Sequence, residues 1–258
     1  MLSKSAIQFV RSLKIRKFRE TYQAFIIEGT RSVADILHSS LKVRSIYATS
    51  AWLNMHSGQL QPIADRCVAI TEKEMEAISS LTTPQEVLAV AEIPENTLVQ
   101  AELADELVIM LDEIRDPGNL GTIIRTADWF GIRFIICSKG CVDVYNPKVV
   151  QATMGSIARV RVHYADLLDF LHSQNPSLTV YGCMLDGTDI RSARLENKGI
   201  ILLGNESTGI SPLLLPSINV KLTIPSFRSS TGSSSSAADS LNAAQACAVV
   251  CFAFRNQK

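Results

Sequence analysis

The chain lacks net charge, is poor in aromatic residues and has no apolar run long enough to cross a bilayer; each lack narrows what it can do. Its 258 residues carry 25 Lys and Arg against 25 Asp and Glu, so nucleic acid is not drawn to the molecule as a whole and any such contact needs a local basic surface. The longest hydrophobic stretches are broken by charge or glycine, which argues against a membrane-spanning helix. The 47% hydrophobic content and the mean hydropathy of +0.16 are therefore assigned to buried parallel strands. No C-x-x-C pair occurs. Cys137 and Cys141, like Cys247 and Cys251, are four apart, and the second pair lies in an apolar helical pattern, so no metal site is expected. The six cysteines read as reduced, mostly buried thiols, and a cytoplasmic location follows from that reading.

Length favours two domains. From residue 1 to 94 a basic helix (Ser3 to Leu13) is followed by alternating segments: a strand (Phe25 to Glu28), a helix (Thr30 to His38) and a strand (Val43 to Thr49). A strand (Cys67 to Ile70), a short helix (Glu72 to Ile78) and a strand (Glu86 to Glu92) complete this small α/β domain. Residues 95–106 are acidic and polar, with Glu95, Asn96, Glu102, Asp105 and Glu106, and read as a linker. From 107 to 258 strands alternate with helices: the clearest are strands Leu107 to Leu111 and Gly199 to Leu203, and helices Leu120 to Phe130 and Leu241 to Phe254. This alternation predicts an α/β fold with a mostly parallel sheet covered by helices on both faces.

Three separated turns carry the chemistry. Asp116-Pro117-Gly118-Asn119-Leu120-Gly121 follows one apolar run and leads to Arg125-Thr126-Ala127; Gly204-Asn205-Glu206-Ser207-Thr208-Gly209-Ile210-Ser211 follows another; Ile224-Pro225 is joined by a loop to Ser240-Leu241-Asn242-Ala243-Ala244. A strand that breaks at glycine-containing polar turns and enters a helix presents backbone amides at the carboxyl edge of a sheet, where ligands bind. Gly118-x-x-Gly121 lacks the G-x-G-x-x-G spacing, and no acidic residue ends the next strand, which runs into Cys137-Ser138-Lys139, so dinucleotide binding is discounted.

In this order, N-x-G-x-x-x-R-T-A, G-N-E-x-x-G-I-S and I-P-(loop)-S-L-N-A-A resemble the three motifs of the SpoU (TrmH-like) RNA 2′-O-ribose methyltransferases of the SPOUT superfamily, from about Glu106 onward. Lys14-x-Arg16-Lys17-Phe18-Arg19, Phe25 to Gly29 and Thr83 to Val90 are similar to the ribosomal-protein-like RNA-binding domain that often precedes them. The resemblance implies a deep trefoil knot in the carboxyl-terminal part, S-adenosylmethionine as cosubstrate without a metal, and a homodimer formed through the catalytic domain. It also implies RNA as the partner, ribosomal rather than transfer RNA because of the appended domain.

It further implies site residues. Asn119, Arg125, Glu206 and Asn242 match the catalytic positions; Leu185, Gly204, Ile224 and Leu241 match or border those that bind the donor; Lys14, Arg16, Lys17 and Arg19 are the basic residues available for RNA phosphates. Methylating a ribose hydroxyl needs a sulfonium held in line with a weak oxygen nucleophile, so orientation supplies most of the effect and few reactive groups are required. A guanidinium stays protonated, which makes positioning the ribose and phosphate the easier role for Arg125. Glu206 is placed to fix Arg125 or the motif loops across the subunit boundary; Asn242 to cap the last helix or hold the nucleotide; Ser240 to cap that helix or take part in catalysis.

Other readings stay open at this point. The scaffold also suits a catalytically silent RNA-binding or ribosome-assembly protein, a transfer-RNA ribose methyltransferase, or an enzyme acting on a base nitrogen. Ser229 to Ser236, Ser-Ser-Thr-Gly-Ser-Ser-Ser-Ser, lengthens the third motif and reads as a flexible linker. The basic, amphipathic first segment has the look of a mitochondrial presequence, but it runs without a spacer into Ala24 to Gly29 and is read as part of the domain.

Overall fold

The structure is a computed structural model and describes residues 2–95, 97–98, 100–173, 178–227 and 240–256. The serine-rich stretch, Ser229 to Ser236, lies outside the described residues. In chain order the first part forms α1 (Lys4–Ser12), α2 (Arg16–Tyr22), β1 (Ala24–Glu28), α3 (Thr30–Leu37), β2 (Val43–Ala48), α4 (Ser50–Met55), α5 (Ser57–Leu60), β3 (Cys67–Ala69), α6 (Glu72–Ile78) and β4 (Val87–Glu92). The remainder forms β5 (Leu107–Leu111), α7 (Pro117–Trp129), β6 (Phe134–Ser138), α8 (Pro147–Thr153), β7 (Arg161–Ala165), α9 (Leu167–Ser173), β8 (Val180–Asp189), β9 (Gly199–Leu203), β10 (Val220–Thr223) and α10 (Ala243–Arg255). Among the described residues no helix is long and apolar enough to cross a membrane.

The chain divides into two compact units, Met1–Glu95 with Asp143–Arg159, and Asn96–Val142 with Val160–Lys258. In the first, four strands run in the order β1-β4-β2-β3, with β4 antiparallel to both β1 and β2. One face packs Ala24, Ile26, Leu88 and Val90 against Val10 and Leu13 of the α1 end and Met75 and Ile78 of α6. The segment around α8 belongs to this unit: the Tyr145 ring lies 4.7 Å from that of the fully buried Phe25.

Arg19 is only 2% exposed. Its Nε and Nη2 donate to Asp143 Oδ2 (3.1 and 2.5 Å) and its Nη1 to the Leu13 carbonyl (2.8 Å), satisfying three donors of a buried cation. The expectation that Arg19 offers itself to RNA phosphate is therefore corrected: its polar atoms are spent inside the unit. Lys14 is half-buried, donates from Nζ to the Ser79 carbonyl (2.5 Å), and burial lowers its pKa. Arg16 pairs with Glu20 at 2.7 Å on the surface, and Lys17 is exposed.

In the second unit six strands run β10-β8-β9-β5-β6-β7, and every pairing between them is parallel. All residues of β5, β6 and β9 are buried, as expected of strands covered on both faces. Val108, Met110, Phe134, Ile136, Ile200 and Leu202 face Leu167 and Phe170 of α9. On α7, Leu120, Ile123, Ile124 and Ala127 are buried, α10 packs beside that helix, and Phe254 of α10 meets Tyr181 of β8 edge to face at 4.9 Å. Adjacent strands β5 and β9 end level, Leu111 opposite Leu203, so the first two motif turns emerge side by side at the carboxyl edge of the sheet.

Candidate active site

The first turn is built by helix capping. Asp116 is the N-cap of α7 and accepts from the Asn119 N–H (2.8 Å); Pro117 fills the first helical position, where its missing N–H costs nothing. α7 thus starts three residues before the expected Leu120, and Asn119 sits in its first turn, at the mouth of the sheet.

The second turn closes on itself. Asn205 and Gly209 exchange backbone hydrogen bonds (3.0 and 2.9 Å), and Asn205 Oδ1 accepts from the N–H groups of Ser207 and Thr208 (2.8 and 3.3 Å). Gly209 takes φ +68°, and a Cβ on Gly204 would come within 2.2 Å of the Gly209 carbonyl carbon, so only glycine fits there. Asn205 Nδ2 donates to the Glu113 carbonyl (2.9 Å), at a residue whose φ is +59°. Buried Asp112 accepts from the Ser211 N–H (2.8 Å); burial raises its pKa, and that hydrogen bond opposes the rise. Asn205 and Asp112 were not singled out from the sequence. An Asn four residues before a Gly is the sequence signal for Asn205; for Asp112, at a strand end, there is none.

These turns bring Asn119, Glu206 and Asn242 together. Asn119 Nδ2 donates to Glu206 Oε1, and Asn242 Nδ2 donates to Asn119 Oδ1 (2.8 Å). Asn242 is also the N-cap of α10, accepting at Oδ1 from the N–H groups of Ala244 (3.0 Å) and Gln245 (3.4 Å). The directions are mutually fixed: a carboxylate only accepts, so the Asn119 amide turns its NH2 to Glu206 and its oxygen to Asn242, whose own oxygen is taken by the cap. Asn242 therefore caps the helix, one of its two expected roles, and also joins the polar set; Ser240 is not the cap.

Arg125 stands apart. It is exposed on α7, one turn before Trp129, and among the described residues it has no ion pair or hydrogen bond. Within the chain, no carboxylate among the described residues is paired with it, Glu206 included.

Beside the turns lies a cavity of about 510 Å³, within the range of small-molecule sites. Leu185, Gly204, Ile224 and Leu241 all line it, together with Glu206. Its floor is apolar: Leu203 and Leu222 from the strands and Ala243, Ala246 and Val250 from α10. Every residue from 204 to 210 also lines it, and so does the exposed Ser240. Cys183 also contributes; burial pushes its thiol up to about 12, so it stays protonated. Among the described residues no group of three or more His, Cys, Asp or Glu is placed to hold a metal ion.

Residues 106–252 match the SpoU rRNA Methylase family, and residues 4–89 match the MRM3-like substrate binding domain. The chain belongs to the SpoU rRNA methylase family. It is 29% identical over 252 residues to the 23S rRNA (guanosine(2553)-2′-O)-methyltransferase RlmP of Bacillus subtilis, covering 95% of this chain and 94% of that protein. Among solved structures, a protein of the TrmH family from Porphyromonas gingivalis is 37% identical, with a TM-score of 0.84 over 99% of this chain and 98% of that one. An AdoMet-bound rRNA methyltransferase from Sinorhizobium meliloti is 28% identical, with a TM-score of 0.84 over 99% and 95%. The expected family is thus shown, on a chain whose motif turns converge at one sheet edge.

Proposed function

We propose that this protein transfers a methyl group from S-adenosylmethionine to a ribose 2′-hydroxyl of ribosomal RNA. The decisive observation is the cavity and its link to the first turn: residues of the second and third motif turns line it, and Glu206, in its wall, accepts from Asn119 of the first turn, which in turn accepts from Asn242. When bound, the donor supplies an electrophilic sulfonium methyl. The chain's own residues then have to hold, orient and exclude water. Turn 204–210, Ile224 and Leu241 grip the donor through backbone groups and apolar walls; Asn119, fixed at both ends, sets where the ribose lies; Arg125, unpaired and permanently charged, takes the adjoining phosphate.

Ribosomal RNA is preferred to transfer RNA because the RlmP relative, matched nearly end to end, is named for it, and because residues 4–89 match a substrate binding domain. In that domain Arg16 and Lys17 remain as surface cations for phosphate, while Lys14 and Arg19 act by holding the unit together. A homodimer is supported by exposed apolar side chains on the packed pair of helices: Trp129 of α7 is 85% exposed, and Val249 and Phe252 of α10 are 41% and 58% exposed. Arg125 shares the Trp129 face, so the second copy would border the catalytic residues. Family membership further supports the trefoil knot, and the end-to-end match to a bacterial relative supports a cytoplasmic location.

The test is Arg125→Ala. Because the side chain is exposed and unpartnered, the variant should fold and bind donor as the wild type does, while methyl transfer to rRNA falls on the order of 100-fold. Full activity in the variant would remove Arg125 from the site, and wild-type protein that binds no donor by calorimetry would remove the function.

A further inference from the structure

Phe227 is 82% exposed, three residues beyond Ile224 of the cavity wall. A single exposed aromatic needs no explanation, but this one is backed. The Arg191 guanidinium carbon lies 5.1 Å from the ring centroid, over its face. Arg191 is itself fixed: Asp189 Oδ1 accepts from its backbone N–H (2.9 Å) and Nε (3.0 Å), and Asp189 Oδ2 accepts from Nε and Nη2 (3.0 and 2.5 Å). The pair is anchored to the cavity from both sides. Arg191 follows Ile190, which lines the cavity and whose N–H donates to the Thr223 carbonyl (3.0 Å), and Thr223 and Ile224 line the same wall.

From this we propose that Phe227 is a stacking platform for an unpaired base of the substrate RNA, at the rim of the donor cavity; this rests on the function proposed above. Two features favour a base over a phosphate or a protein partner. Asp189 occupies the Nε and Nη2 edges of the guanidinium and offsets its charge, leaving it as a backing for the ring rather than an anion ligand. The ring is exposed beside a site that must receive a nucleotide, and every base presents a π-face to such a ring. A ribose cannot enter alone: its base has to go somewhere within one nucleotide of the hydroxyl, and an aromatic at the rim is where stacking lost from the RNA is regained.

The experiment compares wild type with Phe227→Ala, Phe227→Leu and Phe227→Trp, using large-subunit rRNA transcribed in vitro and free of modification. Since the ring is exposed, all three should fold and bind S-adenosylmethionine by calorimetry as the wild type does. Phe227→Ala should weaken RNA binding between about five-fold and about a hundred-fold, with an unchanged slope of log affinity against log salt, because no phosphate contact is lost. Phe227→Trp should bind as wild type does; Phe227→Leu should not. Equal RNA affinity in Phe227→Ala, rescue by leucine, a shallower salt slope, or a parallel loss of donor affinity would each overturn the platform. Because binding is read without turnover, wild-type protein that moved no methyl to any RNA would sink the proposed function and still leave this result readable.

Discussion

Removing Asp143 should unfold the first unit far more easily than removing any surface charge. Arg19 and Asp143 have side chains 3% and 16% exposed, so Asp143→Ala strands a guanidinium in the interior with only the Leu13 carbonyl left as partner. Breaking a buried pair by deleting one member costs about 3–5 kcal/mol, a large part of a typical total of about 5–15 kcal/mol. With a urea slope near 2 kcal/mol per molar, the unfolding midpoint should drop by about 1.5–2.5 M. The chain carries its own probe: of its 2 tryptophans, Trp52, in the first unit, is 3% exposed and Trp129, in the second, is 85% exposed, so the fluorescence shift on unfolding reports the first unit. Replacing both partners, Arg19→Met with Asp143→Leu, should recover most of the loss, because no uncompensated charge remains. A drop worth less than about 1 kcal/mol in Asp143→Ala would refute the reasoning and restore Arg19 to the surface as an RNA ligand.

Three further outcomes follow from the second unit. Asn119→Ala removes the amide that joins Glu206 to Asn242, so single-turnover methyl transfer should fall on the order of 100-fold with donor affinity nearly kept; a matching fall in donor affinity would place Asn119 in the donor site instead. Gly204→Ala forces a Cβ against backbone atoms of Gly209 and Ile210 at 2.2 to 2.4 Å, so the turn must shift and donor binding by calorimetry should weaken by about five-fold to a hundred-fold; normal affinity would show that the turn does not grip the donor. Burial raises the pKa of Asp112 above its ordinary 3.8, so its folded form resists ionisation: the stability it contributes is full below 3.8 and is lost as pH rises through the raised value. Asp112→Asn keeps an acceptor for the Ser211 N–H, so its stability relative to wild type, measured by urea unfolding, should climb across that window and then level; a pH-independent difference would mean that the carboxyl is not strained by burial.

Strands β5 and β9 were legible to the residue, because Leu107–Leu111 and Gly199–Leu203 are unbroken apolar runs bounded by charge or glycine, the signature of a strand buried on both faces. α2 was missed. Arg-Lys-Phe-Arg-Glu-Thr-Tyr has no apolar period, and its cation Arg19 is drawn inside by Asp143, 124 positions away, a pairing no local pattern contains. α4 was missed although Thr49 caps it through the Trp52 N–H, because Thr49 also extends the strand pattern that begins at Val43. That α8 packs with the first unit depends on the tertiary contact of Tyr145 with Phe25, which no local pattern contains. At the site, the motif residues were legible and their wiring was not: that Asn119 links Glu206 to Asn242, and that Arg125 stands free of Glu206, are facts of geometry.

If the protein is a ribose methyltransferase, the methyl group goes to a sugar oxygen. Methyl-labelled S-adenosylmethionine, purified protein and unmodified large-subunit rRNA should yield RNA whose label survives alkaline hydrolysis within a dinucleotide, because a methylated 2′-oxygen no longer attacks the neighbouring phosphate. Label recovered in mononucleotides would place the methyl on a base, and bound donor with no label in RNA would leave a scaffold without the chemistry.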